Sequence, residues 1–304
     1  MAGGLFLFAK ASKSHLFIFC WCFLLLGLLG CGDSESVPVL KVGGIPDQDT
    51  SRLARRYGEF SSYLSQQLGV PVRYIPSVDY AAVVTAFAHG ELDLAFFGGL
   101  TGVQARLQNP GAQAIAQREG DANFHSKFIV RATLPINSLA DLKTDARKMT
   151  ITFGSESSTS GHLMPRHFLK LTDIDPEKDF KGVPNFSGSH DLTWKLVASG
   201  SFDVGALNKD VWERAVREGR ADPNKVRAFY TTPEYFDYNW TVHSEVDGEF
   251  GDGFTEKIRS ALLALNTQDH TQILGLFSTE QFIVSSNENY QDIESVARDL
   301  EIIQ

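Results

Sequence analysis

Cysteine is scarce in this chain of 304 residues, which carries three. Two of them, Cys20 and Cys22, lie inside an apolar stretch that runs from Leu16 to Gly30, and the third, Cys31, follows it directly. If that stretch is removed, one cysteine remains, at the new amino terminus. A disulfide within the mature chain, a thiol nucleophile in its core and a cysteine-based metal site are then excluded.

Acidic residues are absent from the start of the chain. Residues 1–15 carry Lys10 and Lys13, and the apolar run follows without a break. A basic start, such a run and small residues at its end are typical of a secretory signal. A membrane anchor is the alternative, but the run is shorter than the roughly 18–20 residues that a span needs. We therefore predict a signal peptide at 1–30.

The end of the run, Leu28-Leu29-Gly30-Cys31, resembles the lipobox of bacterial lipoproteins. That resemblance implies cleavage before Cys31 and a diacylglyceryl group on its sulfur. A short polar tether at 31–37 would then join the lipid to the folded part. We expect the protein in the periplasm or at the cell surface, anchored to the membrane by its amino-terminal lipid.

Basic residues are too few for a nucleic-acid-binding protein. The formal net charge is −9, and without residues 1–30 there are 26 basic residues against 37 acidic ones, a charge of −11. No basic cluster is present, which argues against a nucleic-acid partner. Because the net charge is negative, the overall electrostatic field of the protein would not attract an anionic ligand. Local dipoles would have to hold it.

No Pro-rich or low-complexity linker interrupts the mature part, whose length of about 270 residues suits two lobes better than one core. Strand-like and helix-like runs alternate from Val39 to Tyr230, which predicts an α/β fold with parallel sheets covered by helices. In the carboxyl-terminal part of the chain, the pattern predicts three helices and no strands. The helices are expected at Phe254–Leu265, Thr271–Phe277 and Gln291–Leu300.

The chain also repeats itself loosely at an offset of 110 residues. The helix start Asp79-Tyr80 falls opposite Ser189-His190, and Asp93 falls opposite Asp203. Two lobes built alike explain this pattern, although turns of this kind also recur by chance. Because ligands of open α/β sheets lie beyond the carboxyl ends of the strands, a cleft between the lobes would present polar helix starts from both sides.

A strand, a polar loop and a helix are predicted between Met149 and Leu171, and hydroxyl side chains fill the loop. They belong to Ser157, Ser158, Thr159 and Ser160. The first turn of a helix has unpaired N–H groups and a partial positive charge, and hydroxyls add donors without net charge. The loop therefore suits an anion. Alternatively, one hydroxyl simply caps the helix.

Several longer motifs occur in the mature chain. They are Asp79-Tyr80-Ala81-Ala82-Val83-Val84, Ala95-Phe96-Phe97-Gly98-Gly99, Gly154 to Pro165, Ser187-Gly188-Ser189-His190-Asp191 and Asp237-Tyr238-Asn239-Trp240-Thr241. Together they resemble the phosphate/phosphite/phosphonate substrate-binding proteins of ABC transporters, and the last three resemble the subgroup labelled selenate-binding. The resemblance spans about residues 39–300.

The resemblance implies a type II periplasmic binding protein-like fold, with two βα lobes and a ligand cleft between them. Lobe one would comprise 38–132 plus 236–304, and lobe two 133–235. The function implied is capture of a small oxyanion by lobe closure and its delivery to a membrane permease with an ATPase subunit. No cofactor is implied.

The same resemblance assigns the ligand site. It implies binding by Tyr80, by the hydroxyls of Ser158, Thr159 and Ser160, and by His190, and the neighbouring Ser157 is a candidate beside them. Further candidates are Phe97, Gly98, Asn208, Tyr238 and Trp240. Hydroxyl and imidazole donors suit a tetrahedral oxyanion. By themselves, however, a tyrosine at a helix start is usually a packing residue and a lone histidine a satisfied polar one.

The main alternative is an extracytoplasmic hydrolase, such as a phosphatase-like lipoprotein. The mature chain has no nucleophile elbow, zincin motif, Walker loop or dinucleotide loop, so we predict a protein that is not an enzyme. No metal-ligand spacing is present either. A signalling input domain, another alternative, would need a fused output domain.

The oxyanion itself is left open between the phosphonate class and selenate. Phosphate-like ligands keep a proton near neutral pH and need an acceptor, whereas selenate carries none. A carboxylate facing a fully deprotonated dianion would be repulsive. An inward-facing acid among Glu156, Asp191 and Asp237 would therefore argue against selenate.

Overall fold

The computed structural model of the chain describes Met1, Gly3 and residues 37–304. The rest of the predicted signal peptide and the lipidation site Cys31 lie outside the described residues. Residues 38–304 form one compact unit. Within the described part of the chain, no helix is both long and apolar enough to cross a membrane.

Six strands form the first sheet: β1 Leu40–Gly44, β2 Val72–Tyr74, β3 Leu94–Phe97, β4 Gln113–Arg118, β10 Asn239–Val242 and β11 Phe282–Val284. Their order is β11-β4-β10-β3-β1-β2. β1 is parallel to β2 and β3, whereas β10 runs antiparallel to both β3 and β4. The short β11, which pairs with β4, corrects the expectation of a tail without strands.

Five strands form the second sheet: β5 Ser126–Arg131, β6 Ile151–Phe153, β7 Asn185–Phe186, β8 Val204–Asn208 and β9 Val226–Thr231. Their order is β7-β6-β8-β5-β9. β6 is parallel to β7 and β8, and β5 runs antiparallel to β8 and β9. The order β2-β1-β3-β10-β4 in the first sheet matches this second sheet strand for strand. This arrangement confirms the predicted two-lobed α/β fold.

Helices cover both sheets. They are α1 Thr50–Leu68, α2 Tyr80–Ala88, α3 Gly99–Gln108, α4 Leu139–Asp145, α5 Met164–Leu171, α6 Pro176–Asp179, α7 His190–Ala198, α8 Lys209–Arg217, α9 Val246–Phe250, α10 Phe254–Leu263, α11 Thr271–Phe277 and α12 Gln291–Asp299. A π-helical turn, Thr159–Leu163, leads into α5. Pro165 is the second residue of α5, where a missing backbone N–H costs little.

Two segments cross between the lobes, and they pair with each other. Phe124 and Tyr235 exchange backbone hydrogen bonds of 2.8 and 3.0 Å, and Asp237 N–H donates to the carbonyl of Asp121 at 3.0 Å. The strand Ser126–Arg131, which the sequence assigned to lobe one, belongs to the second sheet. The first crossing therefore lies near residue 124 rather than at 132, because the alternating pattern does not reveal which sheet a strand joins.

The offset of 110 residues corresponds to matching positions in the two sheets. Gly90 and Gly200 both have left-handed backbones, with φ of 71° and 80°. Asp93 then accepts a hydrogen bond from the backbone N–H of Lys41 at 2.6 Å, and Asp203 accepts one from that of Thr150 at 2.8 Å. Each aspartate thus ties the start of β3 or β8 to the neighbouring strand.

The cores follow the two sheets. The larger core belongs to lobe one and includes a cluster of aromatic rings in which Trp240 stacks on Phe60 at 4.5 Å between centroids. Two smaller cores flank the second sheet, one around Phe128 and Phe153 and the other around Trp194 and Trp212. β3 is buried along its whole length, as expected for a central strand covered on both faces.

Candidate functional site

Helix starts from both lobes meet at the carboxyl ends of β1, β3, β6 and β8. α2 begins at Tyr80 and α3 at Gly99 in lobe one, while the π-helical turn begins at Thr159 and α7 at His190 in lobe two. All four residues are buried. Because helix starts offer unpaired N–H groups and positive dipole ends, their convergence forms an environment for an anion.

Two polar atoms in this region are buried without a hydrogen-bond partner. They are the hydroxyl of Tyr80 and Oδ2 of Asp237. Burial raises the pKa of Tyr80 well above its usual value, the charges of Asp47 and Asp237 act in the same direction, and the nearby Ser158 hydroxyl opposes them. Buried polar groups rarely stay unsatisfied, since each one costs about 1–3 kcal/mol. Because these two atoms lie beside the converging helix starts, they are candidates for contacts with a polar ligand.

Asp237 follows the second crossing segment and enters the site from lobe one. Its Oδ1 accepts a hydrogen bond from the backbone N–H of Gly99 at 3.0 Å. Burial raises the pKa of Asp237 to about 7, and the nearby Asp121 acts in the same direction. The bond from Gly99 and the hydroxyls of Thr159 and Ser160 oppose this increase. The carboxyl group is thus poised to exchange a proton near neutral pH.

The hydroxyl loop of lobe two reaches the start of α3 in lobe one. Thr159 Oγ1 accepts a hydrogen bond from the backbone N–H of Leu100 at 2.9 Å. The Ser158 side chain caps the π-helical turn by accepting from the N–H of Gly161 at 2.9 Å. The carbonyl of Ser160 accepts a bond of 2.7 Å from Ser126, a residue next to the first crossing. Ser158, Thr159 and Ser160 are buried and lie at the contact between the lobes.

His190 begins α7 and is 1% exposed. Its Nδ1 accepts a hydrogen bond from the backbone N–H of Asn208 at 3.3 Å, which leaves the proton of the neutral ring on Nε2. Burial lowers the pKa of His190 to about 4, against the attraction of Asp47 and Asp191, and Arg214 lowers it further. The ring is therefore neutral at pH 7, and its Nε2–H faces Tyr238 Oη.

Asp47 and Tyr238 support His190 from lobe one. Tyr238 Oη donates to Asp47 Oδ2 at 3.1 Å and lies 3.4 Å from His190 Nε2. The backbone N–H of His190 donates to the carbonyl of Asp47 at 3.2 Å. Burial opposes ionisation of Asp47, but Arg56, His190 and hydrogen bonds from Gln48 and Tyr238 hold its pKa below the usual value.

The structure brings most of the candidate residues together but places others in supporting positions. Asn208 caps α8 through Oδ1, and its Nδ2 donates to Tyr238 Oη at 3.0 Å, so its side chain is already paired. Ser157 is half-buried at the start of the hydroxyl loop. A Cβ on Gly98 would lie 3.1 Å from Thr159 Oγ1, so glycine permits the close approach of the lobes there.

Two of the weaker candidates lie in the core instead. The ring of Phe97 packs edge-on against Phe87 of α2, at 5.3 Å between centroids. Trp240 is surrounded by Phe60, Phe96 and Phe277. Side chains alternate between the two faces of a strand, and the positions that these rings occupy are those covered by helices.

Sequence reasoning missed the acid behind His190 and left open which acid lies in the site. Asp47 lies 110 residues before Ser157. Extending the internal repeat by two residues towards the amino terminus, from Asp49 opposite Thr159, would have included it. Of the three acids considered, Glu156 is exposed and Asp191 is paired with Arg220 at 3.0 Å. Asp237 has the unpartnered oxygen, which the sequence could not indicate because it follows from the crossing of the chain.

The donors of the site are suited to holding an oxyanion. Tyr80 and the hydroxyl loop offer neutral donors, and Asp237 offers an acceptor or, once protonated, one more donor. Among the described residues, no group of three or more His, Cys, Asp and Glu side chains could hold a metal ion. The fold and site together define a two-lobed binding protein for a small anion.

Comparison with known families agrees with this class. The model of a family described as "ABC transporter, phosphonate, periplasmic substrate-binding protein" matches residues 42–290. The chain belongs to this family, as its motifs predicted. It is 45% identical over 271 residues to a probable ABC transporter phosphite binding protein, PhnD1, of Prochlorococcus marinus. That match covers 88% of this chain and 91% of the relative.

Solved structures give the same result. The solved structure of PhnD1 from Prochlorococcus marinus in complex with methylphosphonate, 45% identical, superposes with a TM-score of 0.84, covering 87% of this chain and 99% of that one. A binding protein component of an ABC phosphonate transporter from Pseudomonas aeruginosa, 22% identical, superposes with a TM-score of 0.77. The superposition covers 88% of this chain and 87% of the Pseudomonas aeruginosa protein. At this identity the likeness supports the fold alone.

Proposed function

We propose that this protein captures a small phosphorus oxyanion carrying one proton, of the phosphite or alkylphosphonate class, by closing its two lobes around it. The observation that carries the proposal is the pair of unpartnered atoms, Tyr80 Oη and Asp237 Oδ2, buried where four helix starts converge. A bound oxyanion supplies an acceptor for the tyrosine. Its P–OH group, or a proton on the carboxyl, completes a hydrogen bond with Asp237.

Asp237 argues against selenate as the ligand. Selenate and sulfate have no proton near neutral pH, so an ionised Asp237 would repel them. A protonated Asp237 could donate to them, but only at the cost of taking up a proton. For a ligand that carries its own proton, the carboxylate of Asp237 is an attractive acceptor. This one side chain can therefore discriminate between protonated phosphorus oxyanions and unprotonated selenate or sulfate. The phosphite-binding description and the methylphosphonate ligand of PhnD1 are consistent with this choice.

The test is a binding panel by titration calorimetry and thermal shift, with phosphite, methylphosphonate, phosphate, sulfate and selenate at two pH values. We expect phosphite or methylphosphonate to bind most tightly and to raise the unfolding temperature. Tighter binding of selenate or sulfate would overturn the ligand class. Release of phosphate from a phosphomonoester would instead support the hydrolase alternative.

Closure of the lobes is the mechanism that we propose for capture. The site residues come from both lobes, and Thr159 and Leu100 already bond across the cleft. A ligand enclosed in this way can enter or leave only if the lobes separate. Small-angle scattering should show a smaller radius of gyration with saturating methylphosphonate than without ligand. An unchanged radius would contradict closure.

We further propose that the closed protein delivers the anion to a permease with its ATPase, as expected of a binding protein in this family. An anchor at Cys31 would keep it near that permease. Replacing Cys31 by Ser should abolish lipid attachment, which labelled fatty acid would report. Incorporation of label into the Cys31→Ser variant would rule out this anchor.

A further inference from the structure

A second set of contacts joins the lobes away from the proposed ligand atoms, and its centre is Arg214. This residue lies on α8 of lobe two and is 6% exposed. Its guanidinium donates through Nη2 to Gln48 Oε1 and through Nη1 to Ser278 Oγ, the latter at 2.9 Å. Both acceptors belong to lobe one. Arg214 therefore inserts from one lobe into a polar pocket of the other.

The two acceptors of Arg214, Ser278 and Gln48, lie at defined positions in lobe one. Ser278 ends α11 in the left-handed region, with φ of 56°, where glycine is usually favoured. Serine at this position keeps a hydroxyl that glycine would lack, and that hydroxyl accepts from Arg214. Gln48 directly follows Asp47, which supports His190 in the ligand site. The Arg214 pocket and the ligand site thus share one loop.

The charge of Arg214 is not matched by a direct partner. Within residues 37–304, no carboxylate forms an ion pair with it, and both of its acceptors are neutral. Burial, together with the nearby Arg52 and Arg56, lowers the pKa of Arg214 to about 10, while Asp47 and Asp191 act in the opposite direction. By comparison, Arg56 has Asp47 at 3.5 Å.

Ion pairs at the rim of the cleft add to the same contact. Arg52 of lobe one donates to both carboxylate oxygens of Glu218 in lobe two, at 3.1 and 3.3 Å. Arg220 holds Glu218 in place at 2.7 Å. Asp191 of lobe two accepts from the backbone N–H of Asp49 at 3.3 Å. The side chains of Arg52, Glu218 and Arg220 are partly exposed, so salt screens their ion pairs and each pair contributes little, whereas Asp191 is buried.

We propose that Arg214 is a closure latch: it enters the Gln48–Ser278 pocket only when the lobes close. The latch rests on the proposed function, since it presupposes closure around an anion. Arg214 touches no proposed ligand atom. It acts by slowing the reopening of the lobes.

The test compares Arg214→Gln with Arg217→Gln. Both variants remove one positive charge from α8, but Arg217 is exposed. We expect Arg214→Gln to increase the dissociation rate of methylphosphonate at least about tenfold, with the association rate nearly unchanged, because a buried charged hydrogen bond is lost. Arg217→Gln should release ligand at the wild-type rate. Equal dissociation rates in the two variants would overturn the latch.

A further variant separates the latch from a purely structural role. Ser278→Gly removes the hydroxyl but relaxes the left-handed backbone, so the ligand-free unfolding temperature should stay equal or rise. We nevertheless expect release of methylphosphonate to accelerate about threefold to tenfold, since a neutral acceptor is lost. Unchanged release would contradict the proposal, even if Arg214→Gln failed to fold.

The rim should show the same effect on a smaller scale. Arg52→Gln should speed release about twofold at low salt and have no effect at high salt. The control is Arg298→Gln, which breaks the pair between Arg298 and Glu294 within α12 and should not change release. Failure of the wild-type protein to bind any anion would refute the proposed function itself. Wild-type binding with equal rates in all variants would refute the latch alone.

Discussion

The two lobes share a scaffold but differ in the chemistry that they bring to the cleft. Their sheets have matching strand orders, and Asp93 and Asp203 perform the same structural task at matching positions. At the helix starts the residues diverge: Tyr80 in lobe one corresponds to His190 in lobe two, and Gly98 corresponds to Asn208. Lobe two supplies the hydroxyl loop and an imidazole, whereas lobe one supplies a phenol and Asp237.

This comparison separates the positions that build a lobe from those that define its ligand. Repeated residues such as Asp93 and Asp203 bond to the backbone, so they stabilise either sheet irrespective of ligand. The residues that differ between the lobes lie at helix starts that face the cleft. If both lobes contributed the same helix-start residues, the cleft would contain hydrogen-bond donors but no acceptor. Asp237 breaks that symmetry because it comes from a crossing segment and not from the repeat.

The largest effect is expected from Asp237→Asn. The amide can still accept from the N–H of Gly99 but offers a donor where the carboxylate accepted. We expect affinity for monoprotonated methylphosphonate or phosphite to fall by about ten- to a hundredfold, because a charged hydrogen bond is lost. Sulfate or selenate should bind more tightly than to the wild type. Calorimetry with each anion measures both changes.

The control for that variant is Asp203→Asn, a scaffold aspartate in lobe two. It should lower the unfolding temperature because the bond to the N–H of Thr150 weakens. The ratio of affinities for methylphosphonate and sulfate should stay the same. A change of that ratio in Asp203→Asn, or its constancy in Asp237→Asn, would contradict the division between scaffold and ligand positions.

Proton uptake on closure should also depend on Asp237. In this structure burial raises the pKa of Asp237 from its ordinary value of 3.8 to about 7, and we expect a lower pKa when open lobes expose the carboxyl group. Between those values the closed form holds up to one more proton than the open form, so this group makes closure less favourable as pH rises, by up to about tenfold per pH unit. Titrations in buffers of different ionisation enthalpy should show less proton uptake for Asp237→Asn than for the wild type. Equal uptake would exclude this role.

A smaller effect is expected from Tyr80→Phe, which removes the unpartnered hydroxyl. Affinity for methylphosphonate should fall about tenfold, because the hydroxyl gains its partner only in the complex. Tyr63→Phe is the matched control, since its hydroxyl donates to the carbonyl of Ala261 at 2.7 Å within lobe one. That control should lose stability but not affinity. Equal affinity in Tyr80→Phe and the wild type would remove Tyr80 from the site.

The smallest effect is expected from Gly98→Ala. The new Cβ would lie 3.1 Å from Thr159 Oγ1 and 3.3 Å from Asp237 Oδ1, so the lobes would have to yield by a few tenths of an ångström. We expect about a fivefold loss of affinity, because the low end of the cost of added core volume is about 1 kcal/mol. Gly58→Ala, which meets nothing within 4 Å in helix α1, should leave affinity unchanged. An effect as large as that of Asp237→Asn would indicate that the lobes pack there more tightly than the structure has them.

Local features of the sequence determined much of this result. Alternation of apolar runs predicted the α/β lobes, since hydrophobic periodicity is a property of neighbouring residues. Capping chemistry located the helix starts: Asp79 and Ser189 accept from the first turns of α2 and α7, as side chains of this kind do wherever a helix begins. Motif resemblance then predicted Tyr80, the hydroxyl loop and His190.

Only the tertiary structure decided the rest, because it depends on where the chain crosses between lobes. The crossing near residue 124 put Ser126–Arg131 in the second sheet, and the return crossing carried Asp237 into the cleft. Side chains alternate between the two faces of a strand, and this alternation places the rings of Phe97 and Trp240 in the core. Arg214 meets Gln48 and Ser278 across long sequence distances, and no local pattern encodes such contacts. Local periodicity and capping fix the elements, whereas the environment of each polar group is set by the residues that folding brings beside it.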